Sequence, residues 1–217
     1  MTPLSFAVHS LPDPAVVPQQ RAGRWKMLLV LAMCAAPVVA SYFTFYVVKP
    51  SGSAYGELIA PAVDMPADLP LTDLQGRAVT PASLRGQWLL TVVQGSDCPA
   101  ACERQLFVQR QLREMLGKER ARVDKLWLIP DSGTPRAEVL AAVSQKGAEV
   151  TVLRVPAERL QAWLKPAAGQ TLAGHFYVID PMNRWMERAP AEPEPKKLKA
   201  DLDKLLRASA SWDTAGR

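Results

Sequence analysis

The chain has 217 residues, 48% of them hydrophobic and 22% charged, and its 26 Lys and Arg against 21 Asp and Glu leave +5 at neutral pH. Three cysteines exclude a scaffold stapled by several disulfides, and with two histidines they cannot fill a four-ligand zinc site unless they converge or carboxylates join them. The apolar fraction excludes a wholly disordered chain.

Residues 1–26 begin Pro-rich and without hydrophobic periodicity, so a disordered tail is expected there, with His9 of no chemical interest. Met27 to Val48 then runs for 22 residues without a charged side chain. As a helix it is about 33 Å long, enough to cross a hydrocarbon core of about 30 Å. Arg21, Arg24 and Lys26 precede it and only Lys49 follows closely. The positive-inside rule puts the N-terminus in the cytoplasm and the rest outside, as for a bacterial inner-membrane protein with a periplasmic domain. The alternative is a signal peptide cleaved after Ala40, which would leave eight more apolar positions as a new terminus. Residues 1–48 hold a surplus of two positive charges, which leaves +3 for the other 169. That balance, with no basic patch interleaved with aromatics, points away from nucleic acid.

Residues 49–68 are rich in Ser, Gly, Ala and Pro and read as a linker. From Leu69 the pattern changes. Two short strands are expected around Leu71 and Val79, then a brief helix start at Thr80-Pro81. Trp88–Val93 (WLLTVV) is a continuous apolar run, as a strand buried on both faces requires. A helix follows from Pro99 to Leu116, a strand at Lys125–Ile129, a helix opening at Thr134-Pro135, and a strand at Val150–Val155. A short helix at Ala157–Leu164, a strand at Phe176–Asp180 and a hairpin strand at Arg184–Arg188 come next. Ala189–Pro195 reads as a loop, and Lys196–Ala208 as an amphipathic helix with Leu198, Leu202, Leu205 and Leu206 on one side. Strands alternating with helices imply a parallel core, and the late hairpin adds an antiparallel strand. The expectation is one three-layer α/β domain over residues 69–208, with a disordered tail from 209 to 217.

Cys98 and Cys102 stand just after the apolar strand, at the start of a helix. A spacing of four puts both sulfurs on one helix face, and a helix N-terminus favours the thiolate. Two soft sulfurs at the carboxyl end of a strand can hold copper or another thiophilic ion, or form a disulfide and exchange it. An inert bridge is the bland reading, but so small a loop gains little stability from closure. Cys34, inside the apolar span, reads as a small hydrophobe.

The stretch LTDLQGRAVTPASLRGQWLLTVVQGSDCPAAC resembles the Sco/SenC family, thioredoxin-fold proteins of cytochrome c oxidase assembly. The similarity covers about Leu69 to Ala208. It includes Leu71, Asp73, Gly76, Leu84-Arg85-Gly86, Gly95 and Cys98-Pro99-Ala100-Ala101-Cys102. It continues through Leu128-Ile129-Pro130-Asp131-Ser132-Gly133-Thr134-Pro135 and Phe176-Tyr177-Val178-Ile179-Asp180-Pro181. The resemblance implies a thioredoxin-like domain with a central mixed sheet behind one transmembrane helix. It also implies copper bound by Cys98, Cys102 and a histidine, with delivery to, or thiol reduction of, the oxidase copper-site subunit. In the family pattern that histidine lies eight residues before the strand's Asp, where this chain has Leu172. His175, five before Asp180, is the candidate third ligand. Glu103 replaces the family's proline after the second cysteine. Beside this metallochaperone reading stand a metal-independent thiol–disulfide oxidoreductase with a thiol-redox partner and a non-catalytic scaffold. A peroxidase is disfavoured, since no Thr lies three residues before Cys98.

Overall fold

The computed structural model describes residues 21–48, 54–145 and 149–210. It contains two compact units, Met1–Ser53 and Ala54–Arg217. The tails expected before residue 21 and after residue 210, and the linker over residues 49–53, lie outside the described residues.

In the first unit, helix α1 (Arg21–Phe43) ends in one π-helical turn, Thr44–Val48. It starts six residues before Met27, so Arg21–Lys26 belong to the helix and not to the tail. Extending a nucleated helix costs little, and Arg, Trp and Lys are tolerated in it. Trp25, Leu29, Leu31, Val39 and Phe45 are all exposed, so apolar side chains surround the axis. Gly23–Val47 is long and apolar enough to cross a membrane, by length and composition.

The second unit is built on one eight-stranded mixed sheet. Its strands are β1 (Glu57–Asp64), β2 (Leu71–Thr72), β3 (Ala78–Val79), β4 (Trp88–Val93), β5 (Val123–Ile129), β6 (Thr151–Arg154), β7 (His175–Ile179) and β8 (Arg184–Pro190). Their order is β1-β8-β7-β4-β5-β6-β2-β3. β4, β5 and β6 are parallel, and the flanking pairs are antiparallel. The central strands are the near-continuous apolar runs, as burial on both faces demands.

Two apolar layers cover the sheet. On one face Trp88, Leu90, Val92, Trp127, Phe176 and Val178 pack under α2 (Ala100–Met115), α3 (Ala137–Val143) and α5 (Pro195–Ala208). On the other, Leu89, Val93, Leu126, Leu128, Tyr177 and Ile179 pack under α4 (Ala157–Trp163) and the Pro81–Leu84 turn of 3-10 helix. The alternation along β4 and β7 assigns each residue to its layer.

Further boundaries differ from expectation. The linker expected over 49–68 contains β1, which pairs with β8 (Glu57 opposite Arg188, Asp64 opposite Arg184). Pro61 lacks an N–H and is tolerated because β1 is an edge strand, whose register shifts between Leu58 and Val63. α3 begins at Ala137, three residues after Thr134, and ends at Val143. β8 runs on to Pro190, into the expected loop.

The chain entering β1 is fastened to α5. The N–H groups of Tyr55 and Gly56 both donate to Asp201 Oδ2, the latter at 3.1 Å, and Lys204 Nζ lies 3.1 Å from Asp201 Oδ1. Gly56 leaves room for Glu187: a Cβ would stand 2.0 Å from Glu187 Oε1 and force that side chain to shift. Glu187 is fully buried, and neither of its carboxylate oxygens has a hydrogen-bond partner among the described residues.

Candidate functional site

The loop from Gln94 to Pro99 leaves the carboxyl end of β4 and turns into α2. It carries the Cys98–Cys102 disulfide, with Cα atoms 5.0 Å apart. Cys102 lies in the first turn of α2, and Pro99 is its N-cap residue. Both cysteines are fully buried and join the core layer that holds Trp127 and Phe176.

Cys98 has φ +36°, a conformation that costs a side-chain-bearing residue about 1–3 kcal/mol. The surroundings over-determine it. Cys98 N–H donates to Gly95 O at 3.2 Å, and Arg136 Nη2 donates to Cys98 O at 2.6 Å. Asp131, just beyond the end of β5, pins the same loop, accepting from Ser96 N–H at 2.9 Å and from Gly133 N–H at 2.8 Å. A Cβ at Gly133 would lie 2.1 Å from Ser96 Oγ, so any larger residue would displace the Ser96 hydroxyl from Asp131. Burial opposes ionisation of Asp131, but bonds from the Ser96 hydroxyl, Ser96 N–H and Gly133 N–H, with Arg154 nearby, hold its carboxyl below the usual range. Arg136, the N-cap residue of α3, also pairs with Glu103, the residue after Cys102.

A second set of bonds ties α2 to the entrance of β7. Gln94 Nε2 donates to Gln105 Oε1 at 2.7 Å and to Ala173 O at 3.2 Å, and Gln105 Nε2 donates to His175 O at 3.0 Å. Gln105 is buried three residues after Cys102, on the same helix face. The sequence marks it by that spacing alone. Asp131 stands in the Pro130-Asp131 motif, but only the fold brings it to Ser96. Nothing local marks Arg136, which reaches Cys98 across 38 positions of sequence.

His175 does not join the cysteines. β7 begins at His175, so the residue shares a face with Tyr177 and Ile179, whereas Phe176 and Val178 pack with Cys98 and Cys102. Its ring meets Tyr177 edge-on with centroids 5.9 Å apart, and its Nε2 accepts from Ala167 N–H at 3.1 Å. Burial and the Arg188 charge push its pKa down, while a bond with the Ala189 backbone and Glu57 oppose them. A neutral imidazole whose Nε2 lone pair is already engaged has no free donor atom there for a metal. Among the described residues no three His, Cys, Asp or Glu side chains gather closely enough to hold a metal ion. The expected copper trio of Cys98, Cys102 and His175 is thus not assembled, because the start of β7 reverses the histidine's face.

His175→Ala is expected to cost about 1 kcal/mol by removing the acceptor of the half-buried Ala167 N–H. It should leave the thiol–disulfide equilibrium of the cysteine pair unchanged. Chemical denaturation, read beside a glutathione titration, checks both.

The family description "transmembrane-like, thioredoxin-like, C-terminal domain" matches residues 88–209, more than half of the chain. Similar solved structures include apo Sco1 from Thermus thermophilus, at 18% identity and TM-score 0.55, covering 72% of this chain and 99% of that one. A SCO1/SenC family lipoprotein from Bacillus anthracis is also 18% identical, covering 68% of this chain and 98% of that one, with TM-score 0.51. Yeast Sco1 is 17% identical, covering 64% and 96% respectively, with TM-score 0.50. At these identities the likeness is one of fold. No curated protein matches the sequence.

Proposed function

The chain belongs to the transmembrane-like, thioredoxin-like C-terminal domain family, and from that premise we propose that it is a membrane-anchored thiol–disulfide exchange protein with Cys98 and Cys102 as its redox pair. The observation that carries the reading is the disulfide between them, seated where β4 hands over to α2. In this reading α1 is the anchor, Arg21, Arg24 and Lys26 face the cytoplasm, and the unit from Ala54 works in an oxidising periplasm.

The chemistry balances with a dithiol partner. A partner thiolate attacks Cys98 Sγ, and the bond to Cys102 breaks with the electron pair leaving on Cys102 Sγ, which takes a proton. The partner's second thiolate then attacks its own sulfur in the mixed disulfide and releases Cys98 as thiolate. Two electrons pass to the pair, and the partner leaves oxidised; run backwards, the reduced pair reduces a disulfide. The N-terminus of α2 favours both leaving thiolates. Because both cysteines are buried, attack requires a local opening of the loop.

Copper delivery to an oxidase subunit is the finer reading suggested by the sequence resemblance and the Sco-like fold. Reduced, the two cysteines supply two soft sulfur donors. The residues present do not fit the three-ligand site, since His175 is engaged elsewhere.

The test uses the full chain with Cys34→Ser, in detergent, equilibrated across glutathione redox buffers and trapped with a maleimide. Two thiols are expected to appear together in one two-electron transition, lost in Cys98→Ser and in Cys102→Ser. A disulfide that stays closed in the folded protein even under dithiothreitol would sink the proposal. Cu(I) added to the reduced chain is expected to bind equally in His175→Ala; selective loss there would restore the three-ligand site.

A further inference from the structure

The loop side of the disulfide carries a charge arrangement that thiol exchange alone does not require. Arg136 Nη2 donates to the carbonyl of Cys98 at 2.6 Å and also to the carboxylate of Glu103. The guanidinium is thus held against the backbone of Cys98, and a positive charge close to a thiolate favours it. Glu103 follows Cys102 directly, so its carboxylate partly cancels that charge. The other charged groups of the loop are otherwise engaged or farther along it: Asp131 binds Ser96 and Gly133, Arg154 Nη1 donates to Asp131 O at 3.1 Å, and Asp97 folds back over Gly95. The Arg136 and Glu103 side chains are each about half exposed, at 45% and 51%, so the pair adds little stability and has freedom to serve another purpose.

We propose that Arg136 is a positioning residue that stabilises the Cys98 thiolate, and that Glu103 attenuates it, so that this ion pair sets the redox poise of the cysteine pair. The inference rests on the thiol-exchange reading and adds a regulator to it. Stabilising the thiolate stabilises the reduced form and makes the disulfide a stronger oxidant. A cation and an anion acting on one thiolate must push it in opposite directions. A merely structural contact would behave differently, since losing either partner loosens the same loop and shifts both variants the same way.

The experiment compares Arg136→Gln, Glu103→Gln, the double variant and Arg136→Lys in the full-length Cys34→Ser chain. Equilibrium with glutathione is measured, together with the Cys98 thiolate titration at 240 nm in a Cys102→Ser background. Arg136→Gln is expected to raise the Cys98 pKa and move the equilibrium toward the disulfide by about threefold to tenfold. Glu103→Gln should move both quantities the opposite way, the double variant should return near the parent, and Arg136→Lys should recover most of the charge effect. Shifts of the same sign in the two single variants, or none, overturn this inference while leaving thiol exchange standing. A parent whose pair does not exchange at all overturns the reading beneath it.

Discussion

Trp127→Ala should lower the stability of the unit from Ala54 by about 3–5 kcal/mol, the cost of emptying a buried indole site. Trp127 is fully buried on β5, between Val92 of β4 and Val152 of β6, in the layer that also holds the cysteines. Its indole N–H donates to Gln94 O at 3.0 Å, so the substitution also strands a carbonyl in the loop that leads to Cys98. Trp127→Phe keeps much of the volume and loses the hydrogen bond, and should cost less, about 1–2 kcal/mol. Urea unfolding at fixed pH separates the two terms. A loss under 1 kcal/mol for the alanine variant would mean that neighbouring side chains collapse into the space.

The second large effect is one of pH. Burial, reinforced by the Asp201 charge and opposed by Lys204, pushes the Glu187 carboxyl up to about 7 from an ordinary 4.5. The unfolded chain releases this proton near 4.5, and the folded chain holds it until about 7. The contribution of Glu187 to stability is therefore complete below about 4.5 and is lost as pH rises through 7. The loss amounts to about 3 kcal/mol at about 1.4 kcal/mol for each unit between the two values. Glu187→Gln should flatten that limb of a stability-against-pH curve. His175 and Asp131 act with the opposite sign. Their folded values are lowered, so their contributions are present at high pH and lost as pH falls, through about 6.5 and below for His175 and further down for Asp131. The Glu187 contribution should therefore fall between about pH 4.5 and 7, against an opposing rise from His175, and Glu187→Gln should remove that fall.

Much of this fold is written in local sequence. The runs WLLTVV and KLWLI have no other use than strands buried on two faces, and Cys98 and Cys102 announce a helix start by their spacing and by Pro99. The strand ELIAPAVD escaped because a proline and small residues look like linker, and because its partner, β8, lies far along the chain. His175 escaped for a subtler reason. Whether a residue faces the cysteines or turns away depends on where the strand becomes regular, a matter of one position that periodicity does not resolve. Arg136 and Glu103 are unremarkable surface charges until the turn after β5 brings one to the other. Site residues carried by a motif were legible; those recruited by tertiary approach were not.

The pairing of β1 with β8 also sets an order of events during synthesis. Arg188 stands 131 positions after Glu57, its partner in a 2.5 Å ion pair. The strand that follows the N-terminal helix is made early, yet none of its ladder bonds can form until almost the whole unit has been translated. Closing so long a loop is slow more than it is costly. During that interval Leu58 and its neighbours are an open strand edge, vulnerable to proteases and to pairing with another copy. A nascent chain halted before Arg184 should consequently be cut within residues 57–64, while the finished chain resists there.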